Sequence, residues 1–420
     1  MRTFEEHFTT AIRAAAPQAR SLPRGECQSP DSRVCTICHA SRLDYPAEVA
    51  LKNTALRKFW GNLNTSVPLQ SLVPSPLGRG YRTLTKRKAF HSGRRTRLGL
   101  IDQLDRGGTK PFQAVRCAIE PGGHAAIYAK IQEDLDKPHA AALAESLTYV
   151  IIKGSYTEFT VIFNVRTISP GLVKSTNTLS KSLTRSCKGV VGVFLYKDES
   201  AGRYYMGSSG PNARQVIRKV FGKEEVYQKI AGRGFLYSPV AFAQVNQSIL
   251  EEFVGTVGEL LGPVPGTTLY DLYSGFGMFA LCLSDKFSRL IGVEISRVAV
   301  ESAIANARRQ EASNVKFLRS EINAESAGRI LKNAKPEDAV LLDPPRGGTS
   351  AGVIESIAAR RPSRVAHLFC NIDLMADELA RWKKAGYSVA KAIPFDMFPG
   401  TPVIETVILL HQRRIDQRIA

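Results

Sequence analysis

Beyond residue 245, short apolar runs alternate with longer stretches in which apolar positions recur every three to four residues. The first pattern predicts buried strands, and the second predicts helices that bury one face. In order come a helix over NQSILEEFVGTVGELLG, a strand over TLYDLY, a glycine turn opening a helical stretch, a strand over LIGVEI, a helix over VAVESAIANARRQ and a strand over NVKFLR. A strand DAVLLD, a helix, a strand RVAHLFC, a helix containing Leu379 and Trp382, and the strands YSVAKAIPFD and VIETVILLH follow. This alternation predicts an α/β domain with an open, doubly wound, mostly parallel sheet. Upstream the texture differs. Residues 147–165 and 189–207 are rich in β-branched and aromatic residues and read as two β-hairpins, with a helix over 173–187 between them. Val49, Leu51, Leu56, Phe59, Trp60 and Leu63 recur at helical spacing and predict an amphipathic helix over 46–63. Residues 65–80, rich in Pro, Ser and Gly, read as a linker or irregular loop. Residues 1–24 read as a tail or a short amphipathic helix. The upstream part is therefore expected to be an α+β domain with a substantial antiparallel sheet.

The 420 residues suit two or three domains, and 44% hydrophobic with 23% charged residues is ordinary globular composition. Collagen, coiled coil and wholesale disorder are excluded. No apolar run reaches the ~18 residues of a membrane span, which predicts a soluble protein. Charge changes the picture more. The net charge is +19, yet residues 236–420 hold only 21 of the 57 basic and 20 of the 38 acidic residues. That leaves 36 basic and 18 acidic residues in 1–235. A basic region joined to a neutral one suggests that the first grips a nucleic acid. The plain alternative is a solvated basic surface. The densest stretch, YRTLTKRKAFHSGRRTRLGLI, sets Lys86, Arg87, Lys88, Arg94, Arg95 and Arg97 among Tyr81 and Phe90.

Cysteine usage adds a second signal. There are seven cysteines, and Cys27, Cys35 and Cys38 fall within twelve residues while Cys117 stands alone. A chain of this size does not need disulfide staples, so the pattern predicts a reducing, cytoplasmic compartment and a metal or cluster site. Four thiolates suit zinc or an iron–sulfur cluster. Cys187 and Cys282 read as structural.

The remaining chemistry gathers at predicted strand ends. DLYSGFGMF follows an apolar strand and opens a helix, and Gly275 and Gly277 let backbone approach a ligand closely. Glu294 ends the next strand, where an acid can accept both ribose hydroxyls. The turn lacks the complete glycine pattern for a pyrophosphate, which favours an adenosine ligand such as S-adenosylmethionine. Asp343 in LLDPPRGG could bond a base edge or the cofactor, and Arg346 could pair with a carboxylate or phosphate. Asp-Pro-Pro alone also suits methylation of amino groups. Cys370 follows a third apolar strand, where a thiolate would be a nucleophile, and Asn371 could hold substrate. Glu405, alone in an apolar run, is a candidate general base.

Together DLYSGFG, GVEIS, LDPPR, FCN and DMFPxTxxxE, with AFAQVN before them, resemble the RNA uracil-5-methyltransferases that make 5-methyluridine in ribosomal and transfer RNA. The resemblance covers residues 236–420 and implies a Rossmann-like methyltransferase domain. It implies Cys370 as nucleophile and Glu405 as base. Gln244, Tyr273, Glu294 and Asp343 fall at positions that bind S-adenosylmethionine or the reacting centre, and Phe242 falls where an aromatic residue lines the base pocket. It further implies a 4Fe–4S cluster on Cys27, Cys35, Cys38 and Cys117, a feature of the ribosomal branch. Ser274, Met278, Ile372 and Val403 stand where the family more often has Cys, Asn, Pro or Ala, and His. The expected division is a tail (1–24), a cysteine cluster and helix (25–64), a basic α+β RNA-binding domain (65–235) and the methyltransferase domain (236–420). The expected activity is methylation of a uridine C5 in 23S ribosomal RNA by a monomer. A transfer-RNA enzyme and a catalytically silent RNA-binding factor are the alternatives, and an intact Cys370 and Glu405 argue against silence.

Overall fold

The computed structural model describes residues 2–19, 27, 38–63, 65–93, 95–103, 109–112, 117–197, 216–262 and 264–413. The chain opens with α1 (Phe4–Ala19) and α2 (Tyr45–Gly61). Asp44 caps α2 by accepting a hydrogen bond from Ala47 N at 2.8 Å, and Pro46 suits its first turn. Phe4 and Phe8 stack at 6.0 Å, and Phe4 meets Phe59 edge-on. Both helices join one apolar cluster with Tyr270, Leu272, Val340 and Leu342 of the C-terminal sheet. The first segment thus contains a docked helix, and α2 packs on the C-terminal sheet.

The next elements are β1 (Leu84–Ser92), β2 (Arg95–Gln103), β3 (Thr109–Phe112), α3 (Gly122–Leu135), α4 (Ala141–Ser146), β4 (Leu147–Gly154), β5 (Phe159–Val165), α5 (Pro170–Ser186), β6 (Val190–Lys197) and β7 (Ile217–Gly222). They build a seven-stranded sheet in the order β3-β2-β1-β4-β5-β6-β7. Neighbours are antiparallel except β5 and β6, which are parallel because α5 carries the chain across. The hairpin expected over 147–165 is β4–β5. The run over 189–207 instead supplies β6 alone among the described residues, and its antiparallel partner is β7. VVGVFLYK is largely buried on both faces, as a central strand must be. Helices α3, α4 and α5 bury their apolar sides on one face of this sheet.

A small hairpin, β8 (Val226–Ile230) and β9 (Arg233–Tyr237), leads through a looped segment to α6 (Leu250–Leu261). Gly262 ends α6 in the left-handed conformation. Then come β10 (Thr268–Leu272), α7 (Met278–Cys282), β11 (Arg289–Glu294), α8 (Arg297–Arg309), β12 (Val315–Arg319), α9 (Ala324–Ile330), β13 (Ala339–Leu342), α10 (Val353–Ala358), β14 (Arg364–Phe369), α11 (Met375–Lys384), β15 (Tyr387–Phe395) and β16 (Glu405–Gln412). The sheet order is β12-β11-β10-β13-β14-β16-β15. The first five are parallel neighbours, and β16 runs antiparallel between β14 and β15, so the sheet is mixed. The segment read as a linker is partly tied down. Gln70 N donates to Ala392 O, Val73 N to Pro394 O and Asp396 N to Val73 O, at 3.0, 2.8 and 2.9 Å, which lays it along β15. Among the described residues no helix is long and apolar enough to cross a membrane.

Candidate active site

Strand register places the candidate residues. Leu272 of β10 pairs with Val293 and Leu342, Leu342 with His367, and Phe369 with Thr406. Parallel strands end at one sheet edge, and an antiparallel neighbour begins there. Tyr273, Glu294, Asp343 and Cys370 therefore emerge at the edge where β16 starts with Glu405.

The turn after β10 is held in a conformation few side chains tolerate. Tyr273 has φ +69°, and Gly277 has φ +88°. A Cβ on Gly277 would sit 2.6 Å from the Phe317 ring, so this position needs glycine for space as well as for backbone freedom. Phe276, inside the turn, stacks on Tyr237 at 4.7 Å and meets Phe235 edge-on, so the β8–β9 hairpin braces it. Glu294 faces the turn. Its Oε2 accepts from Gly275 N at 3.1 Å and its Oε1 from Ser296 N at 2.7 Å. Both oxygens are fixed and keep lone pairs for a diol.

The other acids crowd nearby. Burial, then the charge of Glu294, pushes Asp343 up to about 7. Burial, then Asp343, pushes Glu405 up to about 8, while a hydrogen bond from Gln244 and the charge of Arg346 oppose the rise. Burial also lifts Asp271 well above its ordinary range, with Asp343 adding to it. The Cys370 thiol is pushed up to about 12 by burial first, then by Glu405 and Asp343, with Arg346 opposing. Its Sγ lies 3.8 Å from Pro344 O. This edge is rich in carboxylate, so a cationic ligand entering it would favour the ionised acids and ease thiolate formation.

Asp271 stands beside these acids, and sequence reading did not select it. Its Oδ2 accepts from Ala280 N at 3.2 Å at the start of α7, and its buried Oδ1 has no partner among the described residues. A lone acid within the apolar strand TLYDLY was the available signal. Asn371 Nδ2 donates to Arg346 O at 3.3 Å and ties the two loops together. Gln244 is buried against Glu405, and two residues earlier Phe242 stands 72% exposed.

The cysteine set is only partly described. Cys35 lies outside the described residues. Cys38 Sγ and the Ile119 side chain both lie against Gly400, and Cys117 is two residues before Ile119. The Cys38 thiol and the segment that carries Cys117 thus come to one corner. Among the described residues, no group of three or more His, Cys, Asp or Glu is placed to hold a metal ion. The basic stretch also divides. Arg87 is buried, with a two-pronged pair to Glu120 at 2.6 and 2.8 Å, so it belongs to the core. Arg97 pairs with Asp136 at the surface, and Arg94 lies outside the described residues.

Residues 212–413 match the family described as tRNA (Uracil-5-)-methyltransferase. An uncharacterised RNA methyltransferase of Thermotoga maritima is 27% identical over 90% of this chain and 82% of its own length. One from Clostridium acetobutylicum is 33% identical over 47% of this chain and 42% of its own length. For several further relatives the matched span is likewise under half of their length. The solved Pyrococcus abyssi tRNA (uracil-54, C5)-methyltransferase, in complex with S-adenosyl-L-homocysteine, has the same fold. It superposes with a TM-score of 0.67 over 89% of this chain and 85% of that one, at 20% identity.

Proposed function

We propose that this chain is an RNA uracil-5-methyltransferase and that it methylates a uridine in 23S ribosomal RNA through a covalent adduct on Cys370. The observation that carries the mechanism is the β14–β16 register, which sets the Cys370 thiol and the Glu405 carboxyl at one edge. S-adenosylmethionine supplies the methyl group. Its adenosine fits the strained turn and the fixed oxygens of Glu294, and its positive charge complements Asp271, Asp343 and Glu405.

Uracil C5 is a poor nucleophile. Addition of the Cys370 thiolate to C6 makes an enolate, and C5 then takes the methyl group while the electron pair of the broken methyl–sulfur bond stays on the donor's sulfur as a thioether. Glu405 removes the C5 proton and the thiolate departs, so one hard step becomes two easier ones. Arg346, which already opposes the rise in the Cys370 and Glu405 pKa values, helps to hold the negative charge. Phe242 offers an exposed ring to a base turned out of its stack, at a cost of a few kcal/mol.

Replacing the two groups separates their roles. Cys370→Ala should abolish adduct and methyl transfer together, with a rate loss of more than about 10³-fold. Glu405→Gln should permit addition and transfer, then stall. A denaturation-resistant protein–RNA adduct carrying label from the methyl donor should accumulate on a gel. Methylation by Cys370→Ala would reject the thiolate route and favour an amino-group reaction at Asp343, while normal turnover by Glu405→Gln would reject that carboxylate as base.

The ribosomal target rests on the cysteine pattern, and a transfer RNA is the second reading, favoured by the solved relative's substrate. Mapping 5-methyluridine in both RNAs, with and without the protein, decides between them. The same proposal includes a 4Fe–4S cluster on Cys27, Cys35, Cys38 and Cys117, supported by the meeting of Cys38 and the Cys117 segment at Gly400. The chemistry above does not pass through it.

A further inference from the structure

Lys153 lies at the end of β4 in the first sheet and is buried, with no carboxylate partner among the described residues. Its Nζ donates to Pro239 O at 3.1 Å and to Ala241 O, and it lies 5.1 Å from the centre of the Tyr237 ring. Both carbonyls belong to the segment that carries Phe242 and Gln244. A buried ammonium without an anion is costly, and burial draws this amine down to about 7. A neutral amine has two N–H donors, which match the two carbonyls.

The same segment is docked on the first sheet at further points. Thr83 donates to Val245 O from both N and Oγ1 at 2.9 Å, Gln247 Nε2 donates to Gly154 O at 2.7 Å, and Ser248 N donates to the Tyr156 hydroxyl at 3.0 Å. On its other side Asn246 Nδ2 donates to Met397 O, in the loop that leads towards Glu405. Of these ties Lys153 is the one nearest Phe242 in sequence, and its two bonds bracket residue 240.

We propose that Lys153 is a positioning residue which fixes the backbone before Phe242 and so couples the basic domain to capture of the flipped base. The inference rests on the uracil-5-methylation reading, because it needs Phe242 to meet a base. Hydrogen bonds to the two carbonyls hold the turn, and the turn aims the exposed ring. An apolar residue of equal length would leave both buried carbonyls unpaired and let the segment relax.

Lys153→Met tests this in the full chain with unmodified 23S ribosomal RNA transcript as the probe. It should raise the KM for RNA about tenfold and weaken filter binding similarly. kcat and S-adenosylmethionine affinity should stay within twofold. Phe242→Ala should weaken binding by a like amount, and the double variant should be little worse than either, since both changes act on one interaction with the base. Should the Met variant fail to fold, Lys153→Gln keeps an N–H donor group on a shorter arm and should show about a threefold loss. Native RNA affinity and KM (within twofold) in the folded variant, whatever its Tm, would overturn the proposal, as would full additivity with Phe242→Ala. A native protein that makes no 5-methyluridine would instead sink the uracil reading, and the binding comparison would still decide the role of Lys153.

Discussion

At the residue scale the site stores its function as misplaced charge. Burial and neighbouring carboxylates disfavour ionisation and push Asp343 up to about 7 and Glu405 up to about 8. A sulfonium reverses the second cause. S-adenosylmethionine should therefore bind more tightly as pH rises from 6 to 9, since ionised carboxylates attract it and protonated ones do not. The gain should be roughly tenfold per unit until the acids are ionised. S-adenosylhomocysteine lacks the sulfonium and should show a flatter profile, and Glu405→Gln should flatten the curve for the methyl donor. Calorimetric titration of both ligands across this range checks it, and parallel curves would remove the electrostatic account. The same scale shows what sequence could disclose. The places of Cys370 and Glu405 at the sheet edge were legible because each interrupts or ends an apolar run at a predicted strand end. Asp271 and Lys153 interrupt apolar runs too, but their meaning depends on what folding brings to them. One receives Ala280 N and the other two carbonyls from a segment almost ninety residues away.

At the element scale, periodicity was enough for the alternating strands and helices after residue 245, since a buried parallel strand announces itself as a short apolar run. It failed where partners lie far apart. The segment 65–80 looks like a linker because its composition is that of a loop, yet its backbone pairs with β15. Helix α2 has a similar hidden tie. Lys52 bridges Glu48 at 2.7 Å and Asp396 at 2.8 Å, and Arg79 joins Glu48 at 3.0 Å. Removing one partner from such a buried set costs about 3–5 kcal/mol. These bonds fix α2 to the turn containing Gly400, where Cys38 also rests. The cysteine corner is thus built against the loop that leads to Glu405. Anaerobically purified protein should be brown and hold about four irons, as a 4Fe–4S cluster requires. Cys38→Ser or Cys117→Ser should lose the colour, while Cys187→Ser should keep it. Colourless protein with stoichiometric zinc would replace the cluster by a zinc site.

At the scale of the whole molecule, the charge asymmetry read from composition acquires a direction. In the β1–β2 pair Phe90 faces Arg97 and Ser92 faces Arg95, so Lys88, Phe90, Arg95 and Arg97 share one side. Arg87 and Ala89 point to the other and are buried. Composition counts Arg87 with its neighbours, but the pleat assigns it to the core and keeps Lys88 and Arg95 on the opposite side. Lys88 lies 5.9 Å from the Phe90 ring centre, an arrangement that also suits a stacked base. Lys88→Ala with Arg95→Ala should flatten the log–log salt dependence of RNA binding by about 0.7–0.9 for each phosphate that is no longer neutralised, about 1.4–1.8 in all. S-adenosylmethionine affinity should not change, because these side chains lie on the first sheet. Arg87→Ala is the informative contrast. It strands Glu120 in the interior, so it should cost about 3–5 kcal/mol in denaturant titration yet leave the salt slope alone. If the double variant keeps the native slope, the basic face is a solvated surface and RNA is gripped elsewhere. If Arg87→Ala lowers the slope while its folding stability is unchanged, that guanidinium meets phosphate and the buried pair with Glu120 does not govern its role.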